Sequence, residues 1–167
     1  MSRPDDNPSV PAVPVHLPRG LDVVRRVLPG LWAGALWSVA FLGTPAPFAT
    51  LDRPMAGAVV AHIFQREAAL GLLLGVLMLV LERRLAADRA QAGQGSGFSL
   101  GMGLALGAIA CTVVGYYVLQ PWLAMAKAGQ STPLSFGQLH ALSFGLFALK
   151  SVLVSVHALR LAWTPPR

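Results

Sequence analysis

Ionisable residues are scarce in this chain, and the scarcity decides its class. Only 12% of its 167 residues are charged, 13 Lys and Arg against 7 Asp and Glu. Water-soluble domains carry roughly 25%, so half that share excludes an ordinary aqueous fold and makes lipid the main solvent. Cysteine is nearly absent. The lone Cys111 excludes an intrachain disulfide and says nothing about redox compartment. No Walker loop, nucleophile elbow, Cys-x-x-Cys pair or His-Glu-x-x-His helix occurs, so no enzyme motif stands out. The net charge of +6 would suit nucleic acid. No basic stripe is interleaved with aromatics, however, and a nucleic-acid partner is rejected. The first residues also lack the charged head, apolar stretch and small-residue cleavage site of a signal peptide.

What the chain does have is long runs without charge: Val27 to Leu51, Ala68 to Leu81, Ala90 to Ala126 and Ala128 to Leu149. A helix needs about 20 apolar residues to cross a hydrocarbon core of about 30 Å. In lipid every backbone N–H and C=O must pair within its own segment or a closed barrel. The runs are continuous rather than alternating, which selects helices. The expectation is an all-α, integral membrane four-helix bundle over residues 21–164, with helices at about 22–44, 54–84, 98–119 and 136–162. Pro4, Pro8, Pro11, Pro14 and Pro18 make residues 1–20 a disordered, proline-rich tail. Thr44-Pro45-Ala46-Pro47 and Gln120-Pro121 are expected breaks. Asp52 is an expected N-cap and Gly93, Gly95 and Gly97 a flexible linker. With helices so placed, Arg3, Arg19, Arg25, Arg26, Arg83, Arg84, Arg89, Arg160 and Arg167 fall on one side, and only Arg53, Arg66 and Lys127 on the other. The positive-inside rule then puts both termini in the cytoplasm (N-in/C-in), and the setting is a bacterial inner membrane.

A few polar residues interrupt the apolar runs. Ala68 to Leu81 is too short to cross alone, so the second span takes in Arg66 and Glu67, or the bilayer thins around them. His62 and Arg66 share a helix face, so His62, Arg66 and Glu67 form either a polar patch facing the bundle or an interfacial anchor. Ser143, Lys150 and His157 repeat at seven, drifting only about 20° per step, with His140 one turn before Ser143. Lys150 falls near mid-bilayer. An ionised lysine there costs at least about 2.5–3.5 kcal/mol, so it faces the bundle, pairs, sheds its proton, or snorkels along a crevice. Glu67 is within its reach only if both side chains bend together. The spacings Gly30–Gly34 and Gly103–Gly107 mark close helix packing within the bundle or a homo-oligomer.

Leu36-Trp37-Ser38, Pro45 with Phe48 to Arg53, Ala56-Gly57, Phe64 with Glu67, Gly115-Tyr116 with Gln120-Pro121, and Leu139-His140 with Ser143 together resemble the bacterial transmembrane-protein-205-like family, the domain of unknown function numbered 4149. The likeness runs from about Leu28 to Leu161. It implies a four-helix integral membrane protein and brings no assigned activity. The architecture is also similar to small membrane proteins of the copper-resistance D and protoporphyrinogen oxidase types, which use intramembrane histidines. Lys150 departs from the family pattern, where a neutral or apolar residue is expected.

The leading expectation is a non-enzymatic inner-membrane protein in contact with lipid. It would bind or pass a small solute or lipid through a polar cleft between helices two, three and four. His62, Arg66, Glu67, Gln120, His140 and Ser143 would line that cleft, with no cofactor. The alternative is a haem- or copper-handling protein with His62 and His140 as ligands.

Overall fold

The computed structural model describes residues 18–164; the expected proline-rich tail lies outside the described residues except at its last three positions. Between Arg19 and Ala162 lie six α-helices that assemble into four spans. The first span is α1 (Arg19–Ser38), a π-helical turn at Val39–Gly43, and α2 (Pro45–Thr50). The second is α3 (Arg53–Gln91). The third is α4 (Leu100–Thr112), a second π-helical turn at Val113–Val118, and α5 (Leu119–Lys127). The fourth is α6 (Phe136–Ala162). All four are long and apolar enough to cross a membrane, so the chain is a multi-pass integral membrane protein in contact with lipid.

Local chemistry sets most helix ends. Asp52 accepts a hydrogen bond from the Met55 amide at 2.9 Å, with Pro54 in the first turn. Ser99 caps α4 through the Met102 amide. Ser135 and Gln138 form a reciprocal capping box at the start of α6. At the other ends, Gly93 (φ 67°) and Gly129 (φ 74°) take up left-handed conformations that residues with a Cβ disfavour.

Two expected breaks are passed rather than obeyed. Pro45 and Pro47 fall in the first turn of α2, and Pro121 in the first turn of α5. An amide in a helix's first turn has no intrahelical partner, so proline removes nothing there. In both cases the preceding π-helical turn ends one helix and lets another begin. The third span therefore runs on to Lys127, past the expected end near residue 119.

The spans form a ring in chain order. The first packs on the second and fourth, and the third also packs on the second and fourth. The second and fourth lie on a diagonal, with no Cα of α3 within 8 Å of one in α6. Trp32, Ala33, Leu36, Met78, Ala105, Ala108 and Val154 form the buried core. Gly75 admits the ring of Trp32: a Cβ there would lie 2.7 Å from Ile109 Cγ1 and 3.4 Å from Trp32 Cη2. The outside is apolar, with Leu31, Phe41, Leu73 and Phe144 all about two-thirds exposed. Gly30 and Gly34 correct the expectation of packing inside the bundle: both are exposed, and a Cβ on either would meet nothing within 4 Å. They lie away from the stripe that α1 buries at Arg25, Pro29, Trp32, Ala33 and Leu36. Gly107 does pack inward, its Cβ position 3.0 Å from Leu153 Cδ1.

Candidate functional site along the bundle axis

A few of the charged residues are turned inward, while Arg53, Arg66, Arg83, Arg84 and Arg160 among others are exposed. The buried polar residues are Arg25, Glu82, Thr112, Lys150, Ser151 and His157. Within the hydrocarbon there is no water to offer a charge, so an ionisable group at that depth faces the interior and pairs there.

Lys150 is 3% exposed, and its Nζ donates to Glu67 Oε1 at 2.7 Å and Oε2 at 2.8 Å. The pair crosses the diagonal between the second and fourth spans, whose backbones never approach, so two long side chains bridge the centre of the bundle. The Phe147 ring lies 5.2 Å from Nζ. Phe64, one turn before Glu67, meets Phe147 edge to face at 5.3 Å. Both aromatics sit on the side of the ion pair away from the chain termini and cover it there. One turn further, Ser143 Oγ donates to the Gly115 carbonyl at 3.2 Å, inside the second π-helical turn. Such turns free a carbonyl from its regular ladder and recur at functional sites.

A second cluster lies at the end of the bundle nearer the termini. Arg25 donates to Glu82 Oε1 at 2.7 Å, and His157 Nε2 lies 3.5 Å from the same oxygen. Asp22 accepts from Arg25 and, at 2.8 Å, from Arg26. Arg26 also donates to the carbonyls of Leu161, in the last turn of α6, and Thr164, just past its end, where a cation complements the helix dipole. Gly101, in the first turn of α4, makes room for Glu82: a Cβ there would overlap its carboxylate.

Glu67 and Glu82 bound the charge-free stretch of α3, fifteen residues or about 22 Å apart. That stretch is too short to span a bilayer alone. Each carboxylate at its ends is neutralised by a cation from another helix, Lys150 or Arg25, so both can sit within or near the apolar zone. Between the two clusters stands Trp32. A Cβ at Gly71 would lie 3.2 Å from Glu67 Oε1, 3.6 Å from Thr112 Oγ1 and 3.7 Å from Trp32 Cζ2, so the three converge there.

The sequence-derived candidates divide. Glu67 reaches the axis and Ser143 faces it through Gly115. Gln120 is half-buried. His62, Arg66 and His140 are exposed, and His140 stacks on Phe136 with centroids 5.9 Å apart. His62 and His140 stand on diagonally opposed spans, and among the described residues no group of three or more His, Cys, Asp or Glu could hold a metal. Lys150 pairs rather than snorkels.

Arg25, Glu82 and Trp32 escaped the sequence reading as candidates. A signal was present: Glu67, Gly71, Gly75, Met78 and Glu82 fall on one face of α3 at helical spacing. The seven-residue repeat through Lys150 did reach His157.

These features define a class: a polytopic membrane protein of four spans with buried ion pairs between them. Within that class the chain belongs to the family described as Domain of unknown function (DUF4149), which it matches over residues 27–132. The matched region holds Glu67 and Glu82, while Arg25, Lys150 and His157 lie outside it. No curated protein and no solved structure matches the chain.

Proposed function

We propose that this is a bacterial inner-membrane protein, with both termini cytoplasmic, that passes a small solute between its second, third and fourth spans. The observation that carries the reading is the Glu67–Lys150 pair across the diagonal. A buried ion pair is weak support for stability, because desolvation offsets much of its Coulomb gain. A bundle selected for stability alone would do as well with apolar side chains at both positions.

Across the diagonal the pair acts as a latch. A solute carrying charge or strong hydrogen-bonding groups competes for one partner and frees the other, and the two unpacked spans then separate. Ser143 and Gln120 lie along the approach from the side away from the termini, with His62, Arg66 and His140 at its rim. Phe64 and Phe147 form the door above the pair. Nine arginines on the terminal side against two arginines and a lysine on the other support the orientation.

The test is access. In a Cys111→Ser background, cysteine placed at Ser143 or Glu67 is treated with a membrane-impermeant maleimide from the side away from the termini. Reaction at Ser143→Cys, faster when Lys150→Met releases the latch, is expected. Protection at both positions, with and without Lys150→Met, refutes a passage.

A further inference from the structure

The Glu67–Lys150 pair is closed off and balanced in charge. Its two side chains are 9% and 4% exposed, and among the described residues neither has another ion-pair partner. That balance restricts what can displace it. A cation that takes Glu67 strands the lysine ammonium among apolar side chains, and an anion that takes Lys150 strands the carboxylate. Removing one partner of a buried pair is strongly unfavourable, because it leaves a bare charge where there is no water to receive it. A solute that carries both signs takes both partners, and the net charge of the site stays at zero.

The surroundings suit an ammonium beside a carboxylate. Lys150 Nζ lies 5.2 Å from the centre of the Phe147 ring, a cation–π distance, and a second ammonium can take that place. Gly71 leaves the flank of Glu67 open: a Cβ there would lie 3.2 Å from Oε1 and 3.6 Å from Thr112 Oγ1. The Thr112 hydroxyl already donates to the Ala108 carbonyl at 3.0 Å, so toward a solute it can only accept, as an ammonium requires. Room comes from the pair itself. No Cα of α3 lies within 8 Å of one in α6, and these two side chains bridge the gap. A lysine that folds back along α6 vacates about the volume of its own side chain. Glycine has as many heavy atoms as that side chain beyond Cα, whereas an amino acid with a bulky side chain overfills the space.

We propose that the solute of this passage is a small amino acid in its zwitterionic form, its ammonium held by Glu67 over the Phe147 ring and its carboxylate by Lys150. This rests on the axis being a passage and names the solute that opens it. Binding exchanges one ion pair for two and changes no covalent bond. Each charge keeps an opposite partner, so the diagonal opens without a bare ion at its centre. Release re-forms the direct pair and closes the axis behind the solute.

The full chain is reconstituted in vesicles loaded with unlabelled glycine, and entry of labelled glycine by exchange is followed. Exchange well above that of protein-free vesicles is expected. Methylammonium and acetate, which each carry one of glycine's charges, are expected to enter at least about tenfold more slowly, alone or together, and phenylalanine likewise. Lys150→Met and Glu67→Gln should each remove the exchange. If either single variant does not fold, the double variant, which strands no charge, decides by the same loss. Folded protein with no glycine exchange overturns the proposal, as does full exchange in the double variant. Methylammonium, acetate or phenylalanine entering as fast as glycine overturns it too. Maleimide reaction of the Ser143→Cys variant separates the two readings. Labelling of that variant without glycine exchange removes the zwitterion and leaves the passage, whereas protection without exchange removes both.

Discussion

Replacing Lys150 by methionine keeps the length of the side chain and takes away the cation that Glu67 holds at 2.7 and 2.8 Å. The carboxylate, its side chain 9% exposed, is then left beside Thr112 and the edge of Trp32, with no other ion-pair partner among the described residues. Breaking one partner out of a buried pair costs about 3–5 kcal/mol. For a chain of this size each kcal/mol moves the melting temperature by about 2–4 °C, so the single variant should melt about 6–20 °C lower. Glu67→Gln leaves the ammonium stranded instead and should lose a comparable amount. The double variant strands nothing and should recover most of the loss, giving a coupling energy of about 2 kcal/mol or more. Thermal unfolding of the four proteins in one detergent, followed by circular dichroism, measures the cycle. Lys150→Met within about 1 kcal/mol of wild type, or losses that simply add, would mean that the two side chains reach polar surroundings separately, and the latch would be gone.

Three further outcomes follow from named contacts. Gly101→Ala pushes a methyl into the Glu82 carboxylate and should destabilise by about 1–3 kcal/mol. Its effect should be less than additive with Glu82→Gln, because both disturb one bond to Arg25; additive melting shifts would refute the shared cause. Trp37→Phe removes a 3.0 Å hydrogen bond to Ser155 that joins the first and fourth spans. It should cost about 0.5–1.5 kcal/mol, with a less than additive loss when Ser155→Ala is added, since Ser155 also donates to the Ser151 carbonyl; the same melting experiment checks this. Gly34→Leu adds bulk where the bundle has nothing within 4 Å; monomer stability should be unchanged to within about 0.5 kcal/mol, and a larger drop would place Gly34 inside the packing.

Sequence pattern alone determined the class, because a charge fraction of 12% and four long uncharged runs leave no route to an aqueous core. It also determined the cap at Asp52, which acts within its own turn, and placed Lys150 in mid-span on the face that carries Ser143 and His157. It erred where a local rule depended on context. Pro45 and Pro121 read as stops because proline ends an unbroken helix, yet each stands in the first turn of a helix newly begun after a π-helical turn. Gly30 and Gly34 read as packing sites from spacing alone, and spacing does not say which face of α1 turns inward.

The partners of the charges were decided only by tertiary structure. Glu67 and Lys150 are 83 residues apart, and Arg25 and Glu82 are 57 apart. Sequence could place each along its own helix, since the rise per residue is fixed. It could not give the rotation of one helix against another, which is set by how the whole ring of four packs. That rotation turned Glu67 to the axis while leaving its neighbour Arg66 outside, and it set Trp32 between two ion pairs that no local pattern connects.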